Sequence, residues 1–326
     1  MFLGFVKPII SKNAKGIMEL IEDIDSLKTP PTAGVITIGN FDGVHKGHQA
    51  LFHRVTELAK QDNATAIAMT FEPHPLKALG NNGPPLITRK DQKTELIAAA
   101  GMDTLIYIPF TRAFAAITAH DFVKDILLDR LGMKAIVVGP DYTFGKNREG
   151  DVPFLKEMAA EYHFEVIIPD WVMGADSGSK RISSTKIREL VMEGRVDETQ
   201  PFLGRHYQIR GKVIKGRERG GSQLGFPTAN IKLHDELCPK MGVYAVTVET
   251  TTGTFNGVAN IGYSPTFDDH LFTIEVHILD FCQDLYGTRI RVNMVERLRD
   301  EIKFPDIKAL STQILADIKN ARKILV

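Results

Sequence analysis

The chain has 326 residues, enough for about two domains, and its 43% apolar and 25% charged residues are those of an ordinary globular protein. Lys+Arg and Asp+Glu balance at 40 each, which leaves no basic excess for nucleic acid or an anionic membrane. Two cysteines, Cys238 and Cys282, stand far apart and form no CxxC pair, so a reducing, cytoplasmic setting is expected. The expected partners are small molecules, in a monomer or weak homo-oligomer. Met1–Ile10 is apolar but is interrupted by Lys7 and Pro8 and lacks a small-residue cleavage site, so it does not read as a signal peptide. No apolar run reaches the length of a bilayer span.

In chain order, the first half alternates short apolar runs with amphipathic segments. Strands are predicted at Val35–Ile38, Thr65–Phe71, Thr104–Ile108, Lys134–Val138 and Phe164–Ile168. Helices are predicted at Gly47–Lys60, Arg89–Ala100, His120–Leu131, Val152–Tyr162 and Ser184–Glu193. Thr88 reads as an N-cap, and Gly101 and Gly132 stand just past helix ends. This alternation predicts an α/β fold with a doubly wound parallel sheet, whose ligands sit at the carboxyl ends of strands.

Gly39 to His48 read Gly-Asn-Phe-Asp-Gly-Val-His-Lys-Gly-His, where the first predicted strand becomes a helix. A helix N-terminus offers free N–H groups and a positive dipole end to an anion. Gly43 and Gly47 allow close backbone approach, and His45 and His48 add donors. The stretch reads as a triphosphate site. Two histidines three apart also fit a plain surface helix. A zinc site is disfavoured, because no third ligand follows at metal spacing. Glu72 and His74 lie in a Pro-bounded loop that they serve to shape as readily as to act in. Asp141 follows a strand's carboxyl end and is a candidate nucleotide contact.

Arg181 to Arg188 read Arg-Ile-Ser-Ser-Thr-Lys-Ile-Arg. Ser183, Ser184 or Thr185 can cap the next helix, and Arg181, Lys186 and Arg188 supply charge for phosphate oxygens. Alone this is equally a capped surface helix.

The rhythm changes near Gln200, where Pro201-Phe202-Leu203-Gly204 reads as a junction between domains at 1–200 and 201–326. Period-two segments follow at Val243–Val248, Phe272–Leu279 and Ile290–Val295, predicting an antiparallel sheet or small barrel. Lys215-Gly216 opens a basic, Gly-rich loop. In Gly225-Phe226-Pro227-Thr228-Ala229-Asn230, an extended backbone puts Thr228 and Asn230 on one face, as hard oxygen ligands suited to Mg²⁺. In Ile274–Ile278, alternation separates Glu275 and His277 from three apolar neighbours. The segment reads as a plain amphipathic strand with its polar face in water, or with Glu275 as the general base for an alcohol attacking a phosphate, and His277 is expected to be structural. A helix from about Asp306 to Leu325 closes the chain, with Ile307, Leu310, Ile314, Ile318 and Leu325 as its core-facing stripe.

The pairing of His-x-Gly-His with Ser-Ser-Thr-x-Ile-Arg resembles the nucleotidyltransferases that join ATP to a phosphomonoester and release pyrophosphate. Gly39–Leu51, Thr70–Pro75 and Gly139–Lys146 resemble the flavin branch. The segment around Pro227–Asn230, with Gly242–Val246, Gly257–Gly262, Leu285–Gly287 and Leu298–Phe304, resembles the riboflavin kinase domain. The two resemblances together cover about Gly34 to Leu325 and are those of a bacterial bifunctional riboflavin kinase/FAD synthetase (FMN adenylyltransferase). They imply a Rossmann-like nucleotidyltransferase domain, followed by a six-stranded antiparallel β-barrel with a C-terminal helix. They also imply Mg²⁺, with ATP as co-substrate and riboflavin, FMN and FAD as substrates and products. ATP contacts in the adenylyltransferase would come from Gly39, Phe41, Asp42, Gly43, His45, Gly47, His48, Asp141, Arg181, Ser184, Thr185 and Arg188. In the kinase they would come from Lys215, Gly216, Gly225, Pro227, Thr228 and Asn230, with Thr228 and Asn230 on Mg²⁺. His45, His48 and Glu275 would be catalytic. Ser264 and Gly221-Ser222-Gln223 depart from the common pattern. Loops 216–224 and 263–270 are expected to close over the kinase site. The alternatives are a non-catalytic flavin-binding or regulatory protein, or an adenylyltransferase for another phosphomonoester.

Overall fold

A computed structural model describes residues 12–13, 16–27, 31, 33–80, 82–173, 181–214, 226–232, 236–263 and 272–326. Lys215, Gly216, Gly225, Ser264, Gly221-Ser222-Gln223, the expected closing loop 216–224 and residues 264–270 of the other therefore lie outside the described residues. The chain forms two compact units, one of residues 1–84 and 88–182, the other of 85–87 and 183–326.

The first unit begins with a two-residue ladder between β1 (Lys12–Asn13) and β2 (Gly16–Ile17). Its main sheet is built from β3 (Glu19–Ile21), β4 (Gly34–Ile38), β5 (Thr65–Glu72), β6 (Thr104–Pro109), β7 (Met133–Val137) and β8 (Glu165–Ile167). The order is β3-β6-β5-β4-β7-β8, with every pair parallel. The predicted first strand is thus not the first: β3 precedes it at the sheet edge. A three-residue strand with one buried side chain carries too little pattern to be read from sequence.

Strand β4 is central and buried along its whole length, as expected of a parallel strand covered on both faces. Ile36, Ile67 and Ile136 belong to one core cluster, and Val35, Ala68 and Val137 to the other. Each large apolar side chain withdrawn from water contributes about 1.5–3 kcal/mol, so the cores lock the sheet that carries the turn after β4. The helices of this unit are α1 (Lys46–Gln61), α2 (Pro75–Ala78), α3 (Lys90–Ala99), α4 (Arg112–Ala115), α5 (Ala119–Asp121) and α6 (Val152–Tyr162). The predicted 120–131 helix winds as α5 and then as a π-helical run over Phe122–Arg130.

The second unit contains α7 (Ser184–Glu193) and α8 (Gln200–Leu203), the latter ended by Gly204 in the left-handed region. Six antiparallel strands then close a barrel: β9 (Tyr207–Ile214), β10 (Ala229–Ile231), β11 (Gly242–Thr250), β12 (Gly253–Tyr263), β13 (Phe272–Ile278) and β14 (Arg289–Arg299). The order is β10-β13-β12-β11-β14-β9, with β9 returning to β10. Closure leaves no free edge. Ile231, Ile261, Ile274, Val276 and Val292 fill the core, where Ile187, Val191 and Val196 join them. Helix α9 (Ile307–Ile324) ends the chain. Its fully buried residues are Asp317 and Ala321, not the apolar stripe, and Ile307 is exposed.

Candidate active sites

The turn after β4 adopts a strained shape. Phe41, Gly43 and Val44 all have positive φ, at 47°, 86° and 40°, the kind of strain that persists only where surroundings impose it. Here Asp42 imposes it. Its carboxylate is buried and its Oδ1 accepts from the Thr88 amide (3.0 Å) and hydroxyl (3.3 Å), while the Gly43 amide donates to Thr88 Oγ1 (2.9 Å). Thr88 is therefore no helix cap, because its hydroxyl serves this turn. Arg89 occupies the cap position of α3 without a capping side chain. Phe41 is also buried, its ring edge-on to Phe52 and His48. Both Phe41 and Asp42 face inward and shape the turn.

His45 caps α1: its Nδ1 accepts from the His48 amide at 3.3 Å. A ring nitrogen that accepts is unprotonated, so neutral His45 carries its proton on Nε2. The His45 and His48 rings stack 3.6 Å apart, 17° from parallel. A Cβ on residue 47 would lie 3.1 Å from the His45 ring, so Gly47 makes room for that imidazole. His48 is held well below the usual histidine pKa, by burial first and then by its neighbours His45, Lys93 and Arg181. It is therefore neutral at physiological pH. Its Nδ1 is buried and has no hydrogen-bond partner in the protein.

Arg181 donates to Asp141 Oδ2 at 2.8 Å and stacks on Trp171, its guanidinium carbon 3.4 Å from the ring centroid. The structure thus joins Asp141 and Arg181, and adds Trp171, which no sequence pattern singled out. Glu72 ends β5, and His74 caps α2 by accepting from the Leu76 amide, a loop-shaping role. Phe71, Phe110 and Phe114 form a half-buried aromatic cluster with ring centroids 5.4–6.0 Å apart. In the second unit, Ser183 is the residue that caps α7, accepting from Lys186 N at 3.3 Å. Ser184 and Thr185 begin that helix, and Arg188 Nε donates to the Pro85 carbonyl at 3.0 Å.

On the barrel, register places Asn230 of β10 and Asn260 of β12 directly opposite Glu275 of β13, one on each side. Directly opposed residues share a sheet face, so two carboxamides flank the carboxylate. Ile274 and Val276 point into the core, and Glu275 points away from it, as alternation predicts. Burial pushes the Glu275 carboxyl above its ordinary value. Thr228 stands just before β10. His277 Nδ1 bonds the Pro227 carbonyl at 2.9 Å, and its ring meets Phe226 edge-on. It anchors the Pro-Thr-Ala-Asn segment, the structural role expected of it. Asn260 was missed because its place beside Glu275 depends on strand pairing, which no local pattern displays.

Two family models match the chain: FAD synthetase over residues 27–186 and riboflavin kinase over 203–325. The bifunctional riboflavin kinase/FMN adenylyltransferase of Escherichia coli (strain K12) is 38% identical over 309 residues, 94% of this chain and 97% of that protein. That of Haemophilus influenzae is 36% identical over 307 residues, 94% and 98% of the two chains. A crystal structure of a macrolide-efflux protein from Streptococcus pneumoniae superposes with a TM-score of 0.83 at 34% identity, covering 94% of this chain and 98% of that one. Among the described residues, no helix is long and apolar enough to cross a membrane. With both models in tandem and relatives this similar end to end, the chain belongs to the bifunctional riboflavin kinase/FMN adenylyltransferase family.

Proposed function

We propose that residues 201–326 convert riboflavin and ATP to FMN and ADP, and that residues 1–200 convert FMN and ATP to FAD and pyrophosphate. For the first step, the carrying observation is Glu275, half-buried between Asn230 and Asn260. A carboxylate with a raised pKa is a competent base. Glu275 takes the proton of the riboflavin 5′-hydroxyl as that oxygen bonds the γ-phosphorus of ATP. The bond from the γ-phosphorus to the bridging oxygen breaks, and ADP leaves. Thr228 and Asn230 offer hard, neutral oxygens, and among the described residues no cluster of three His, Cys, Asp or Glu could hold a metal. That donor set fits Mg²⁺, which accepts few protein ligands and keeps water and phosphate for the rest. When bound, Mg²⁺ neutralises charge on the phosphates.

For the second step, the carrying observation is the His45–His48 stack at the N-terminus of α1, beyond the carboxyl end of β4. An FMN phosphate oxygen bonds the α-phosphorus of ATP in line, the bond to the β-phosphate oxygen breaks, and pyrophosphate leaves. No protein nucleophile is needed, because positioning and charge stabilisation suffice. His45 Nε2–H and neutral His48 donate to phosphate oxygens, with Arg181 adding charge. A phosphate role for Ser184, Thr185 and Arg188 is proposed from their motif alone. The aromatic faces of Phe71, Phe110 and Phe114 suit the flavin ring. The enzyme is assigned to the cytoplasm, a reducing setting consistent with two free thiols.

The test is chromatographic. Protein, riboflavin, ATP and Mg²⁺ should yield FMN first and FAD later. FMN without FAD would refute the reading of His45 and His48; no product would refute both steps.

A further inference from the structure

Lys93 is the one buried lysine among the described residues, 5% exposed on α3. No motif contains it. A charge taken out of water costs several kcal/mol unless it is compensated, and a methionine could fill the same space without that cost. The ammonium is instead aimed at the turn after β4. Its Nζ donates to the Asn40 carbonyl at 2.8 Å, and the same oxygen accepts from Thr70 Oγ1 at 3.2 Å. Asn40 is the second residue of the Gly39–His48 stretch.

We propose that Lys93 is a positioning residue for adenylyl transfer. Its ammonium pins the Asn40 carbonyl, holds the strained Gly39–His48 turn in its anion-binding shape, and sets a fixed positive charge behind it. The proposal rests on the reading of His45 and His48 as the triphosphate site.

Two further observations agree with this geometry. Burial lowers the Lys93 pKa, while the charges of Asp42, in the turn, and Glu72, at the end of β5, raise it and so favour the ammonium. Burial depresses the His48 pKa most, and the cations Lys93 and Arg181 are among the neighbours that lower it further. A neutral His48 stacked on His45 avoids the repulsion of two imidazolium rings. In a site from which water is excluded, a fixed charge acts on phosphate oxygens with little screening.

The test compares wild type, Lys93→Met, Lys93→Gln and His48→Ala as full chains, with FMN and FAD formation measured separately across pH. Misplacement of the turn should lower FAD formation from FMN by about 100-fold in Lys93→Met, with FMN formation from riboflavin unchanged. Loss of the Lys93 charge should also raise the His48 pKa, moving the acid limb of the FAD profile to higher pH. A purely structural role would lower the rate at every pH without moving that limb. A wild-type FAD rate and limb in Lys93→Met overturns the proposal. Should Lys93→Met lose its thermal transition, Lys93→Gln decides, since it keeps a donor for Asn40 and drops only the charge. A limb at the wild-type position in that variant overturns the proposal as well. A wild-type FAD rate in His48→Ala would instead overturn the reading of the triphosphate site.

Discussion

Gly47 lies against the His45 ring, and a side chain there would meet that imidazole at 3.1 Å. Gly47→Ala should shift the imidazole by a few tenths of an ångström and slow FAD formation roughly tenfold. FMN formation should be untouched, and steady-state rates of the two steps check this. Glu275 makes the opposite prediction. Glu275→Gln keeps the shape and removes the base, so FMN formation should fall about 10²–10⁴-fold, while FAD formation from supplied FMN persists. A base works ionised, and burial holds Glu275 above its ordinary 4.5. In the wild type, the kinase rate should therefore fall as pH drops through that raised value. A rate flat down to the ordinary carboxylate range would exclude Glu275 as the base.

At the level of elements, α9 is tied to the barrel by an ion pair as well as by its half-buried apolar residues. Arg299 of β14 donates three hydrogen bonds of 2.8–3.1 Å to Asp317, and Gln313 adds one of 2.9 Å. The Asp317 side chain is 5% exposed and that of Arg299 18%. Removing one member of a buried pair leaves the other uncompensated, so Asp317→Ala should destabilise the barrel unit by about 3 kcal/mol. Urea unfolding followed by circular dichroism measures it, and a loss under about 0.5 kcal/mol would mean that the stripe carries the helix after all. The stripe was legible from its helical spacing, but the pair was not, since 18 residues separate its members. Thr88 is a related case. By local chemistry it is a good cap, and the tertiary fold spends its hydroxyl on Gly43 instead.

At the scale of the whole molecule, compactness divides the chain after Ile182, whereas the change of rhythm falls near Gln200. Helix α7 and the turn after it send Ile187, Val191 and Val196, all fully buried, into the barrel unit's core. A fragment beginning at Pro201 would lose these three side chains, each contributing about 1.5–3 kcal/mol. It should melt well below a fragment beginning at Ser183, as differential scanning calorimetry can measure. Equal melting temperatures would mean that α7 adds nothing to the barrel's stability.

The sequence by itself determined the fold class and the family. The Gly39–His48 turn, the Pro-Thr-Ala-Asn segment and the Glu275 strand are local patterns, each readable within a dozen residues, and the βα alternation is a periodicity repeated along the first half of the chain. Tertiary structure alone decided what closes around them. Asp42 became an anchor for Thr88, Asn260 came beside Glu275, Trp171 met Arg181, and Lys93 reached the carbonyl of Asn40. The physical reason is the same in each case. A local pattern specifies a backbone and the face a side chain takes, whereas the partner of a side chain is set by which other segment the sheet order and barrel register bring beside it.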